Sequence, residues 1–152
     1  MAVNNTKESN LIVVNAEGHI AGRLSSYVAK SLLKGDRVVV VNAEKTLLSG
    51  NKLSIVQRYL KRLEIGSVIN PRHGPFHPRR PDTILTKMVR GMLPYRKAKG
   101  LEAFKRLRVY ISIPQQYRSV GKVTFEKATA TKPISFYLTL GEVASRLGWK
   151  SD

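Results

Sequence analysis

The chain has 152 residues, enough for one domain with a buried core but short for two. Its hydrophobic content of 42% is ordinary for a folded protein, whereas 27 Lys and Arg against 10 Asp and Glu leave a net charge of +17. The absence of Cys excludes disulfides, thiolate metal sites and cysteine nucleophiles. So large a positive excess opposes compact folding unless a polyanion neutralises it, which makes a nucleic acid the leading partner.

Nothing in the sequence resembles a membrane or export segment. The longest aliphatic run, Val38–Val41, is far shorter than the roughly 20 residues of a membrane-spanning helix. The first ten residues contain no apolar signal core. We therefore expect a cytoplasmic protein with no membrane partner. We expect a single domain over residues 1–152, with a flexible N terminus at 1–10 and an extended segment at 114–152 that ends in a short helix.

The first part of the chain predicts a strand, a helix and a second strand. Leu11–Val14 favours a strand, and a helix with an apolar face follows, formed by Ala21, Leu24, Val28 and Leu32. Gly35 is placed to end this helix, and Val38–Val41 is typical of a strand buried on both faces. This order is that of a parallel sheet with a crossover helix.

The middle of the chain predicts a short strand, a helix and a long loop. Thr46–Leu48 favours a third strand, and Asn51 can cap a helix whose apolar stripe would be Leu53, Val56, Leu60 and Leu63. Residues 66–81 contain four Pro and two Gly, so we expect an extended loop.

The remaining elements are two helices, a strand and a final short helix. Asp82 is a plausible N-cap for a helix with the apolar face Ile84, Leu85, Met88, Val89 and Met92. After Pro94 we expect a short basic helix to Arg106 and a last core strand over Leu107–Ile113. Thr139 and Glu142 have the spacing of a capping box for a helix docked by Val143, Leu147 and Trp149. Alternating strands and helices indicate an α/β fold with a largely parallel sheet.

The positive charge is concentrated in one third of the chain. From Arg58 to Arg108 there are 14 Lys or Arg and three acidic residues. Such clustering favours a face that binds RNA or DNA phosphates over a merely solvated surface. Within it, Phe76 and Tyr95 can either stack on bases or pin the loop to the core.

Two possible sites of chemistry receive little support. The turn Gly18–Gly22, with Glu44 downstream, resembles a mononucleotide turn, but neither G-x-G-x-x-G nor a P-loop is present, so a tight structural turn is favoured. His73 and His77 are four residues apart, yet the intervening Gly74 and Pro75 and the following Pro78 prevent a helix that would bring both rings to one metal. We expect no metal, no cofactor and no catalytic centre.

Several segments together resemble the universal large-subunit ribosomal protein thirteen family. They are Asn15–Leu24, Val39–Asn42, Ser49–Lys52, Val89–Pro94 and Leu107–Tyr110, of which Arg-Gly-Met-Leu-Pro is the most specific. The resemblance covers nearly the whole chain in order. The loop Arg72–Arg80 is similar to the archaeal and eukaryotic version, and the chain lacks the long C-terminal extension of eukaryotic members. The resemblance therefore implies an archaeal source.

The resemblance implies a three-layer α/β/α fold with a four-stranded, largely parallel sheet, and a structural rather than enzymatic role. The implied partners are large-subunit ribosomal RNA and neighbouring large-subunit ribosomal proteins, with an early role in subunit assembly and no small-molecule substrate. Arg90–Pro94 would face RNA, with Gly91 allowing close approach and Met92 and Leu93 mainly in the core. The candidate RNA-binding residues are Arg23, Arg58, Lys61, Arg62, Arg72, His73, His77, Arg79, Arg80, Lys87, Arg90, Arg96, Lys97, Lys99, Arg106 and Arg108.

Two other functions stay open at this point. One is a nucleotide-dependent enzyme that uses the Gly18–Gly22 turn. The other is a DNA-compacting or regulatory protein, although the sequence contains no helix-turn-helix, zinc finger or heptad pattern.

Overall fold

The structure, a computed structural model, describes residues 10–150. Its helices and strands in chain order are β1 (Leu11–Asn15), α1 (Ala21–Lys34), β2 (Arg37–Val41), β3 (Leu47–Ser49), α2 (Lys52–Glu64), α3 (Pro81–Met92), α4 (Ala98–Lys105), β4 (Leu107–Val109), β5 (Lys122–Val123), β6 (Tyr137–Thr139) and α5 (Leu140–Arg146). Residues 1–9 of the predicted flexible N terminus lie outside the described residues.

The main sheet has four parallel strands in the order β4-β2-β1-β5. Val39 of β2 pairs with Val13 of β1 on one side and with Arg108 of β4 on the other. β3 and β6 form a separate antiparallel pair. The predicted fold class, three layers with a four-stranded, largely parallel sheet, is confirmed.

Alternating side chains on the central strands bury two different faces. Val14, Val38 and Val40 pack under the layer of helices together with Leu24, Leu32, Leu85 and Val143. Val13, Val39 and Val41 face the other way and are covered by Tyr110, Ile113, Tyr117 and Val120, a segment whose only helical part is the 3-10 turn Gln115–Tyr117. Because both faces are covered, the central strands are almost continuously apolar, as buried parallel strands usually are.

Several local predictions are confirmed. The predicted stripe of α1 is buried, and Gly35 ends this helix with φ of 113°, a left-handed conformation that glycine adopts without strain. Asn51 Oδ1 accepts hydrogen bonds from the N–H groups of Leu53 and Ser54 and caps α2. Thr139 Oγ1 accepts a hydrogen bond from the N–H of Glu142 and caps α5.

The remaining strand predictions are confirmed only in part. The strand predicted at Thr46–Leu48 forms as β3 (Leu47–Ser49), and it pairs with β6 rather than with the main sheet. The fourth main strand is the two-residue β5, which lies in the segment predicted to be extended. The strand predicted over Leu107–Ile113 ends at Val109, because the chain leaves the sheet through Ser112, with φ of 59°, to cover the second face.

Three helix predictions need correction. In α2, Leu53 and Leu60 are exposed, and the buried side is formed by Ile55 with Val56, Tyr59 and Leu63. In α3 the N-cap is Arg80 rather than Asp82, because Pro81 occupies the first helical position. Met92, predicted in the core, is 44% exposed, whereas Leu93 is buried.

Candidate nucleic-acid interface

Six cations from three neighbouring elements form what we call the α2–α3 basic surface. Arg58 and Arg62 lie one turn apart on α2, Lys87 and Arg90 lie on α3, and Arg96 and Lys97 lie in the turn before α4. All six side chains are exposed. Spacings of three and four residues place each helical pair on one helix face.

Three hollows connect these cations. The first, of about 170 Å³, lies beside Arg62, His77 and Lys87. The second, of about 610 Å³, is bordered by Lys87, Arg90, Arg96 and Lys97. The third, of about 500 Å³, is bordered by Arg58 and Arg62. Since Arg62, Lys87 and Gly91 each border two hollows, the basic surface is continuous.

Two glycines without neighbours line this surface. Gly91 borders the second and third hollows and Gly22, at the start of α1, borders the third. A Cβ added at either position would meet no atom within 4 Å. The chain itself therefore gives no packing reason for glycine there, and an incoming backbone can approach closely.

Aromatic rings hold two of the arginines. The Arg90 guanidinium carbon lies 3.9 Å from the centroid of the Tyr95 ring, and that of Arg62 lies 5.4 Å from the Tyr59 ring. Burial raises the pKa of Tyr59, and the positive charges of Arg62 and Arg58 only partly oppose this rise. Tyr59 is therefore a neutral phenol beside the Arg62 guanidinium.

The proline-rich loop is tied to the helices through polar contacts. His77 Nε2 lies 2.8 Å from the carbonyl oxygen of Ile65, and Lys87 Nζ donates a hydrogen bond to the carbonyl oxygen of Phe76. Arg72 and His73, in a 3-10 turn capped by Asn70, are exposed. The structure distinguishes the two aromatic residues for which base stacking and packing on the core were both considered. Phe76 is 81% exposed, whereas Tyr95 is half-buried and packs against Phe104.

The other predicted RNA-binding cations differ in whether an acidic side chain of the protein neutralises them. Arg80 is bonded to the Asp82 carboxylate, with Nη2 3.1 Å from Oδ2. The remaining exposed cations of this group are Arg23, Lys61, Arg79 and Lys99. Asp82 thus partly neutralises one member of the set.

The structure does not bring Arg106 and Arg108 to the α2–α3 basic surface. Arg106 is half-buried and donates through Nη2 to the carbonyl oxygen of Leu32, near the end of α1. Leu32 lies ten positions after Gly22 in α1, which corresponds to about 15 Å along the helix. Arg108 donates to the carbonyl oxygens of Lys105 and Leu107. That these two residues contact RNA stays a prediction.

The turn Gly18–Gly22 is occupied by the chain's own groups. The N–H of Ile20 donates to the carbonyl oxygen of Ala128, and His19 is buried beneath the same segment. Glu44 accepts a hydrogen bond from the N–H of Ser112 through Oε2, so it serves a structural contact. The geometry gives no support to a nucleotide site at this turn.

Residues 10–150 contain neither a metal-binding cluster nor a membrane-spanning helix. No three His, Cys, Asp or Glu residues in this range are grouped closely enough to hold a metal ion. No helix in the same range is long and apolar enough to cross a membrane.

Sequence reasoning missed Gly22, Tyr59 and the exposed position of Met92 as parts of this surface. Gly22 could have been noticed from the sequence, because a glycine in the first turn of a helix is less favourable than an alanine and therefore suggests a requirement for close approach. The grouping of these residues depends on how α2 and α3 are each placed against α5, which local patterns do not encode.

Comparison with known proteins gives consistent matches. Residues 9–116 match the family model described as Ribosomal protein L13. The chain is similar to large ribosomal subunit protein uL13 of Methanocaldococcus jannaschii, 46% identical over 141 residues, covering 92% of this chain and 99% of that protein. The same protein of Methanococcus maripaludis is 43% identical with the same coverage. That of Aeropyrum pernix is 45% identical over 144 residues, covering 94% and 93%.

Proposed function

Because the chain belongs to the ribosomal protein L13 family, we propose that it is a structural constituent of the large ribosomal subunit in the cytoplasm. It binds and stabilises large-subunit ribosomal RNA and lies beside neighbouring large-subunit ribosomal proteins. The family is one of ribosomal proteins rather than enzymes, in agreement with the prediction that the chain is not an enzyme.

The α2–α3 basic surface is the observation that supports RNA binding. Its six cations come from α2, α3 and the turn before α4, and they border connected hollows. Arginine can bond phosphate oxygens with two N–H groups at once, and lysine adds a mobile point charge. Such an arrangement suits a folded RNA, whose phosphates follow a fixed path, better than the regular groove of a DNA duplex.

The test replaces four exposed cations of the α2–α3 basic surface, Arg58, Arg62, Arg90 and Lys97, together by Ala. We expect weaker binding to large-subunit ribosomal RNA and a flatter salt dependence, because fewer counterions are released. The log-log slope should change by about 0.7 to 0.9 for each lost phosphate contact. The measurement is filter binding or anisotropy at several salt concentrations.

A matched control removes the same charge elsewhere, by replacing the exposed Lys30, Lys34, Arg118 and Lys127 with Ala. The control should retain more affinity and a steeper slope than the first variant. Equal behaviour of the two variants would mean that charge alone, and not this surface, carries the binding. Equal competition by duplex DNA would favour the DNA-binding alternative.

An early role in subunit assembly follows if the folded chain binds RNA before most other proteins. Prolines restrict the loop at residues 66–81, and tyrosine rings hold the side chains of Arg62 and Arg90. Less conformational entropy is therefore lost on binding, which favours association with RNA before a protein neighbour is in place. When the first variant replaces the natural chain in subunit reconstitution, particles should stall at a small sedimentation coefficient.

A further inference from the structure

The turn between α3 and α4 is rigidly held. The N–H of Tyr95 donates to the carbonyl oxygen of Leu93 at 2.7 Å, and that of Lys97 donates to Pro94 at 2.9 Å. Gly100 of α4 packs directly on this turn, since a Cβ there would collide with the carbonyl of Pro94. Side chains carried by the turn are therefore presented in a fixed position.

Tyr95 and Arg90 form a stack on this turn. Phe104 supports the Tyr95 ring edge-on, with centroids 5.6 Å apart and planes at 87°. The Arg90 guanidinium covers a face of the same ring at 3.9 Å. Arg90 is exposed and borders the second hollow, so the outer face of the guanidinium is open to an incoming group.

The hollow beside the stack has the size and charge for one nucleotide. Its volume of about 610 Å³ lies within the range of about 300–1,000 Å³ common for ligand sites. Lys87, Arg96 and Lys97 surround it, and none of the described residues that border it is acidic. Gly91 forms part of its wall and adds no side chain that would fill it.

We infer that this hollow holds a single unpaired RNA nucleotide. Its base stacks on the outer face of the Arg90 guanidinium, as a third layer on Tyr95, and its phosphates contact Arg96 and Lys97. The planar guanidinium is needed because it stacks on rings on both sides, which a lysine ammonium cannot do. The strand continues across Gly91 towards Arg58 and Arg62. The inference rests on the proposed RNA-binding function and adds to it a requirement for a base.

The experiment titrates the ¹⁵N-labelled full chain with the RNA pentanucleotide UUAUU, and with the same strand carrying an abasic ribose at the centre. Binding is read from the amide signal of Gly91 and the Nε–H signal of Arg90. Stacking of one base predicts that UUAUU binds between about 5-fold and 100-fold more tightly than the abasic strand. The Arg90 signal should shift upfield through the ring current of the adenine.

Two substitutions test the geometry. Arg90→Lys keeps the charge, so the affinity for UUAUU should fall to that for the abasic strand while the latter stays unchanged. Gly91→Leu fills the hollow and should weaken the binding of both strands. The affinity of this variant is measured from the Nε–H signal of Arg90. The controls Arg118→Lys and Gly121→Leu lie at exposed positions outside the hollow and should preserve the preference for a base.

If titrations followed at the Gly91 amide give the same affinity for UUAUU and for the abasic strand, the inference is overturned, because phosphate binding alone then explains the affinity. The absence of any shift at Gly91 would overturn it as well. In both cases the proposed function stands if the four-residue Ala variant still loses affinity for ribosomal RNA relative to its control. Loss of that difference, in contrast, would remove the proposed function.

Discussion

At the scale of single residues, His19 shows how a polar side chain can be structural in a chain full of functional cations. It is 1% exposed. Its Nδ1 lies 2.9 Å from the carbonyl oxygen of Glu17, and its Nε2 lies 3.1 Å from the N–H of Phe125. Because a carbonyl only accepts and an N–H only donates, these partners assign the proton to Nδ1. The neutral ring thus connects the first turn to the C-terminal segment.

Replacing His19 by Ala should destabilise the protein. The change removes a buried ring, which opens a cavity, and leaves a partly buried carbonyl and a partly buried N–H without their partner. We therefore expect a loss of about 2 kcal/mol in the free energy of unfolding. Urea denaturation at neutral pH measures it. His73→Ala is the matched control at an exposed histidine, where the change should stay within about 0.5 kcal/mol. Similar losses for both would mean that the His19 contacts contribute nothing specific.

Arg90 and Arg106 show at the same scale what residue type alone does not reveal. Both are basic, and both lie in the charge-rich third of the chain. Arg90 stacks on Tyr95 with its outer face open, whereas Arg106 is half-buried and bonded to the carbonyl oxygen of Leu32. The charge cluster could be predicted from the sequence, but the partner of each cation depends on tertiary contacts.

At the scale of elements, α4 is positioned by direct contact of its backbone with the preceding turn. Gly100 is buried and lies against the carbonyl of Pro94, with Tyr95 N also at 3.0 Å from the position of an added Cβ. Helix and turn cannot separate without also moving Tyr95, which carries Arg90. The position of α4 therefore decides the geometry of the second hollow.

Opposite effects are expected for the same substitution at two helical glycines. Gly100→Ala forces a backbone clash and should lower the free energy of unfolding by about 3 kcal/mol or more. Gly22→Ala meets open space and should raise it by up to about 1 kcal/mol, because Ala favours the helix. Denaturant curves of both variants check this. A neutral Gly100→Ala would show that α4 can shift away from the turn.

The helices also show why part of the fold could be predicted and part could not. In α1 the apolar residues occupy one stripe, so the pattern alone identified the buried side. In α2, Leu53, Ile55, Leu60 and Leu63 surround much of the helix, and packing against α5 and neighbouring elements decides which of them are buried. β5 has only two residues, Lys122 and Val123, and no periodicity could reveal it. The basic surface was predicted as a charge cluster, while its hollows depend on how α2 and α3 are each placed against α5.

At the scale of the whole molecule, positive charge is poorly compensated within the chain. The sequence has 27 Lys and Arg and 10 acidic residues. Within residues 10–150 only two side-chain ion pairs form, Lys45–Glu17 and Arg80–Asp82. Most cations therefore repel one another across the surface until a polyanion approaches. RNA binding and folding stability are coupled through this repulsion.

Salt should consequently stabilise the RNA-free chain. Raising NaCl from 0.1 M to 1 M shortens the screening length from about 10 Å to about 3 Å. Screening weakens attraction and repulsion alike. Because the positive charges greatly outnumber the two ion pairs, the weakened repulsion has the larger effect and stabilises the folded chain. We expect Tm to rise by at least about 2–4 °C, which corresponds to about 1 kcal/mol in a domain of this size. The variant with Ala at Arg58, Arg62, Arg90 and Lys97 loses four cations that belong to neither ion pair. It has less repulsion to screen, and its Tm should rise less. A Tm that falls with salt in both proteins would show that attractive pairs dominate, and the charge excess would then have no bearing on folding.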